Sequence, residues 1–97
     1  MGWDMRIQSE GGQPKGPDIY VPSEAIPFDE EKYPLLSSVA PYYDTVFNPD
    51  QCTRLVAEFG QALSDPRYKG QVQEFQIVAD AAARCAEEHL YLKFIGD

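Results

Sequence analysis

Along the first eight residues apolar and polar positions alternate strictly, with Trp3, Met5 and Ile7 set against Asp4, Arg6 and Gln8. That period of two is the signature of a strand buried on one face. The stretch "EGGQPKGP" then gathers glycines and prolines that offer neither a side-chain pattern nor a full set of amide donors, so pairing must stop there. Alternation returns in "DIYVP", where Ile19 and Val21 oppose Tyr20. The two runs read as a hairpin with a long loop.

Residues 22–34, "PSEAIPFDEEKYP", hold prolines at intervals that forbid a long regular element. A loop or a single short turn is expected, with Asp29, Glu30 and Glu31 at its acidic centre. "LLSSV" and "APYYDTVFNP" are read as two further short strands around a proline and aspartate turn.

From Asn48 the period changes. Asn48 is a good N-cap, Pro49 suits the first helical position, and Gln51 stands in capping-box register, which predicts a helix from residue 49. Its apolar face is Cys52, Leu55, Val56, Phe59 and Leu63. Asp65 and Pro66 repeat the cap and first-position signal, while Gly70 interrupts it, so the second helix starts either at 66 or after 70. Val72, Phe75, Val78, Ala79, Ala82 and Ala86 form its stripe. In "LYLKFI", Leu90, Leu92 and Phe94 share one face, and Tyr91, Lys93 and Ile95 the other; a strand apolar on both faces belongs at the centre of a sheet or under cover. Two antiparallel helices on one face of a small, mostly antiparallel sheet bury all these stripes at once. The expected class is α+β, as a single domain over residues 1–97.

The segments "PYYDTVFN" and "HLYLKFIGD" resemble a group of short bacterial proteins of actinobacterial type. These share a Pro-Tyr-x-Asp-Thr-Val-Phe-Asn segment, two helices and a closing His-Leu-Tyr-Leu-Lys-Phe tail. The resemblance spans roughly residues 34–97. It implies a helix, helix, strand ending, and it brings no activity, because the function of the group is unknown.

Charge narrows the field of partners. Sixteen Asp and Glu against eight Lys and Arg give a formal charge of −8. Such a surface repels nucleic acid and anionic lipid, and attracts cationic proteins. No run approaches the ~20 apolar residues of a spanning helix, and "MGWDMRIQSE" lacks the basic and apolar regions of a signal peptide. A cytoplasmic protein that engages neither membrane nor nucleic acid is expected. Cys52 and Cys85 fit no metal-binding spacing and read as free, buried thiols.

Chemistry is sparsely signalled. His89, after Glu87 and Glu88, ends the second helix; the helix dipole and neighbouring acids would favour its cation, yet sequence neighbours supply no nucleophile within reach. Asp44 and Asp50 in "YYDTVFNPD" are paired carboxylates, but they also suit a turn followed by a helix cap. There is no phosphate loop and no nucleophile elbow, so no catalytic residue, metal or cofactor is assigned. A different feature is more informative. Tyr20, Phe28, Tyr33, Tyr42, Tyr43 and Tyr91 exceed what a small core needs, and several stand beside acids. Asp29, Glu30, Glu31, Tyr33, Tyr42, Tyr43 and Asp44 are therefore the expected surface for a basic protein partner, with an immunity or inhibitor role as its specific form. Two other readings compete with it. One is a small-ligand binder or minor enzyme with a pocket between helices and sheet, near His89, Tyr91 or Asp44; the other is a homo-oligomer closed through the sheet edge.

Overall fold

A computed structural model of the chain describes residues 2–96. The alternation at the start becomes strand β1 (Gly2–Gln8), paired antiparallel with β2 (Ile19–Pro22) so that Trp3 faces Val21 and Met5 faces Ile19. The chain then passes through two 3-10 turns, Ser23–Ala25 and Leu36–Ser38, before the short strand β3 (Thr45–Phe47). Helix α1 (Pro49–Leu63) and helix α2 (Val72–Glu88) follow, joined by 3-10 turns over Pro66–Gln71, and β4 (Tyr91–Ile95) completes the sheet. Among the described residues the sheet has four strands in the order β2-β1-β4-β3, all antiparallel. The α+β architecture expected from the pattern is thus the one observed.

β4 is hydrogen-bonded on both sides, to β1 with Met5 opposite Phe94 and to β3 with Phe47 opposite Leu92. One face of the sheet buries Trp3, Met5, Ile7, Val21, Phe47, Leu92 and Phe94 under the helices. The other stays open, carrying the row Arg6, Lys93 and Val46. Its two cations would repel each other as cross-strand neighbours, and each has an acid beside it: Asp18 binds Arg6 through two contacts of 2.9 Å, and Asp44 lies 3.5 Å from Lys93 Nζ. Tyr91, Lys93 and Ile95 of β4 therefore lie half-buried on this second face, and the central place of the strand in the sheet explains why its other side, Leu92 and Phe94, is fully buried.

Asn48 forms the predicted capping box. Its side chain accepts from the Gln51 amide at 2.7 Å, and Gln51 Oε1 accepts from the Asn48 amide at 2.9 Å. α1 buries Cys52, Leu55, Phe59 and Ala62, whereas the predicted Val56 is exposed and Leu63 only half-buried. α2 buries Phe75, Val78, Ala79, Ala81, Ala82 and Cys85, and leaves Val72 exposed. Val72 is the first residue of α2, directly after the 3-10 segment. Phe59 and Phe75 meet at 5.8 Å between ring centroids, and the Cys52 thiol contacts that of Cys85. Contacts that pair the start of α1 with the end of α2 make the helices antiparallel. Both cysteines are free, and the Cys85 contact together with burial pushes the Cys52 thiol up, which holds it protonated.

Of the two short strands expected between residues 35 and 49, only the second forms, over Thr45–Phe47. "LLSSV" is a 3-10 turn whose first amides need partners, and Glu58 of α1 supplies them, accepting from Leu35 at 3.1 Å and Leu36 at 3.0 Å. A carboxylate capping the turn from another element is invisible to local pattern.

The Phe94 ring packs edge-on to both Trp3 (6.4 Å) and Phe47 (6.0 Å), which ties β1, β3 and β4 together. Phe94→Ala is expected to cost about 3–5 kcal/mol, a large share of the roughly 5–15 kcal/mol typical of a whole domain. Val46→Ala, on the open face, should change stability by no more than about 0.5 kcal/mol. Urea denaturation of the two variants checks both values.

Candidate functional site

The acidic loop is held down by ions rather than left free. Asp29 Oδ1 accepts from the amides of Glu31 (3.1 Å) and Lys32 (3.2 Å), its Oδ2 receives Arg67 Nη2 at 2.9 Å, and its own amide donates to Ser37 Oγ at 2.9 Å. Arg67 reaches from the connection between the helices and also grips Asp65, with Nη2 to Oδ2 at 2.9 Å. Asp65 caps its own 3-10 turn through the Arg67 amide at 3.0 Å and accepts from the Tyr33 hydroxyl at 3.0 Å. Tyr33 is only 1% exposed. It therefore anchors the loop and does not belong to an exposed aromatic surface, contrary to the sequence expectation; its acid-rich neighbourhood reflects the burial of a hydroxyl against a carboxylate. Glu30 and Glu31 project outward, with no ion-pair partner among the described residues.

The second candidate segment is gripped at both ends. Trp3 Nε1 donates to the Ala40 carbonyl at 2.9 Å, the Ala40 amide donates to Thr45 Oγ1 at 3.3 Å, and Asp44 accepts the Gly96 amide at 3.2 Å. A Cβ at Gly96 would come within 2.6 Å of the Tyr43 carbonyl oxygen and 2.7 Å of its nitrogen, so glycine is required for this close approach of backbones. Between the grips Tyr42 and Tyr43 stand 67% and 75% exposed. Asp44 is the structural member of the group, shared between Gly96 and Lys93.

The two segments meet at a cavity of about 170 Å³ lined by Gly2, Trp3, Ser23, Phe28 and Pro41. Phe28 precedes the acidic loop and Pro41 precedes the tyrosines, so this cavity joins the two halves of the expected surface. Trp3 forms its inner wall and Phe28, 51% exposed, its outer one, the two rings 6.2 Å apart and inclined at 44°. Sequence reasoning missed Trp3 as a site residue, because alternation assigns it to the core. Its bulk near the start of the first strand was the available signal: a ring that large reaches the rim of a small core.

His89 and Tyr91 lie elsewhere. β4 carries Tyr91 opposite Gln8 at one end and Ile95 opposite Asp4 at the other, and the cavity is at the Trp3 end. His89 does not line it, Tyr91 is half-buried, and the cavity is walled by the sheet end and two loops rather than by the helices. His89 has φ 58° and ψ 44°, the left-handed conformation that terminates a helix, and both its amide and that of Leu90 point to the Cys85 carbonyl. It is where the helix hands over to the strand. Asp50 is exposed in the first turn of α1, where its charge suits the helix dipole. Among the described residues, no group of three or more His, Cys, Asp or Glu is arranged to hold a metal ion, and no helix is long and apolar enough to cross a membrane.

The ion cluster makes the fold acid-sensitive. Arg67 holds Asp65 well below the usual carboxylate range, through its side chain and then its amide, and holds Asp29 below it too. Carboxylates depressed in the folded state stabilise it fully above their unfolded pKa, near 3.9, and lose that contribution as pH falls through the folded value. The melting temperature should therefore drop from about pH 4 downward, and an Asp29→Asn, Asp65→Asn variant should be less stable at neutral pH with a flatter acid limb in a thermal scan.

A left-handed backbone costs a side chain about 1–2 kcal/mol relative to glycine, partly offset by the greater freedom of glycine in the unfolded chain. His89→Gly is expected to be neutral or to raise stability by up to about 1 kcal/mol, and His89→Val to lower it by a similar amount or more. Thermal unfolding of both reads the sign.

Comparison of the chain with protein-family models, with curated proteins and with solved structures returned no match.

Proposed function

We propose that this protein is a non-enzymatic binding module that engages a basic protein partner, in the manner of an immunity or inhibitor protein. The observation that carries the reading is that Phe28 and Pro41 line one cavity and each leads into an exposed segment, Phe28 into the loop with the outward carboxylates of Glu30 and Glu31 and Pro41 into Tyr42 and Tyr43. Exposed aromatic rings on well-anchored loops lose little entropy on binding and supply apolar area at the centre of an interface. Acids around them steer a cationic partner and fix its orientation, while contributing less to the final affinity. The partner-facing set in this reading is Phe28, Glu30, Glu31, Tyr42 and Tyr43, with Asp29, Tyr33 and Asp44 acting as the residues that hold the loops. A second reading, self-association, draws on the uncovered sheet face with exposed Tyr20 and Val46; a sedimentation measurement distinguishes a dimer from a monomer awaiting a different partner.

The test is capture from lysate of the source organism, followed by binding of the purified candidate. A basic protein should be retained, with retention weakening as salt shortens the Debye length from about 10 Å at 0.1 M towards 3 Å at 1 M. Tyr43→Ala should raise Kd by about thirtyfold, corresponding to roughly 2 kcal/mol for a central aromatic. Glu30→Gln, Glu31→Gln should mainly slow association and flatten the salt dependence. Equal recovery of the same proteins by the wild type and both variants at every salt concentration would refute the proposal.

A further inference from the structure

The cavity between the two loops has its own chemistry. Its volume of about 170 Å³ is close to the ~150 Å³ of an apolar cavity that accepts one benzene. It suits one side chain of a partner. The Trp3 and Phe28 rings open at 44° to form a wedge, Pro41 adds an apolar wall, and Gly2 completes the lining. Because the indole N–H is already bonded to Ala40, Trp3 has its ring surface, and no donor, to present to a ligand.

The charged residues next in sequence to the lining of this wedge are of one sign. Every charged residue adjacent in sequence to a lining residue is an acid: Asp4, Glu24 and Asp29. Asp4 lies on the open sheet face and Asp29 is neutralised by Arg67, which leaves Glu24. Its Oε1 is held 3.2 Å from the hydroxyl of Ser23, a lining residue, and among the described residues it has no ion-pair partner. Aromatic walls with a free carboxylate at the rim call for a ligand that is apolar along its length and cationic at its head. A compact ammonium is strongly hydrated and loses by entering such a place. A guanidinium is weakly hydrated and planar, stacks on rings, and forks onto a carboxylate.

We propose that the Trp3–Phe28 cavity is a socket for an arginine side chain of the partner, with its aliphatic stem against Pro41 and Phe28 and its guanidinium between the rings and Glu24. This inference rests on the reading of the surface as a site for a basic protein, and it assigns the residue that such a partner inserts.

Trp3 is the only tryptophan of the chain, so its fluorescence and its single indole N–H resonance report directly on the socket. The probes are the blocked tripeptide Gly-Arg-Gly and its counterparts with citrulline or lysine in place of arginine. The arginine peptide should change both signals saturably at millimolar concentration, and bind about fivefold or more tighter than either counterpart. Glu24→Gln should weaken it by a similar factor, and Phe28→Ala should abolish it while circular dichroism shows the fold retained; should that variant unfold, Phe28→Leu provides the same comparison. Absence of a saturable change in both signals, or equal binding of the citrulline or lysine peptide, overturns the socket. Failure of the two proposals is separable. A captured partner lost by Tyr43→Ala but retained fully by Phe28→Ala leaves the binding face standing and removes the socket. A peptide that titrates Trp3 while every surface variant captures the same proteins leaves the socket and removes the face.

Discussion

Burial of Phe94 between Trp3 and Phe47 is the contact on which the rest of the structure depends. The last strand enters the middle of the sheet, between strands from the start and the middle of the chain, so its apolar face must find both neighbours at once. The two helices intervene between β3 and β4, and their antiparallel excursion returns the chain beside the strand it left. Until β4 is seated, β1 and β2 have an exposed apolar face and β3 has no strand to pair with. Cooperativity follows from this order, since no subset of strands buries its own rings.

A second set of constraints is ionic. The chain has an excess of acids, yet several of them hold structure: Asp29 and Asp65 share Arg67, Asp18 and Asp44 neutralise the cations of the open face, and Glu58 caps a turn. These pairs fix the polar parts of loops whose apolar residues, Ile26, Leu36 and Val39 among them, are buried in the core. Surface pairs contribute little singly, but here the buried Tyr33 hydroxyl depends on Asp65 for its partner, and an unpaired hydroxyl in that place would carry a desolvation penalty. Acids not used in this way, Glu24, Glu30 and Glu31 among them, set the electrostatic character of the face that a partner would meet.

The proposed binding face is a by-product of how the core ends. Trp3 sits at the last buried row of β1, with its indole covered on the sheet side by Phe94 and left partly open toward Phe28. The loops that bring Phe28 and Pro41 to it are tied down elsewhere, by Arg67 on one side and by Gly96 on the other. The cavity exists because two anchored loops arrive at one large ring without filling the space between them.

Sequence alone determined what depends on local periodicity and local caps. The β1 alternation, the Asn48 capping box, the Asp65 and Pro66 start signal, the helical stripes and the apolar face of β4 are all properties of residues within one or two turns of each other, so the element types and the α+β class followed from them. The same reasoning placed Tyr42 and Tyr43 on the surface. What it could not supply were relations between residues far apart in the chain. Whether "LLSSV" extends or coils was decided by Glu58, more than twenty residues on. Whether Tyr33 faces solvent was decided by Asp65, and whether Val56 and Val72 are covered was decided by which parts of each helix the rest of the fold packs against. The partnership of Trp3, Phe28 and Pro41 belongs to the same class, because a cavity is a property of packing, and packing is settled only when all of the elements compete for the same interior.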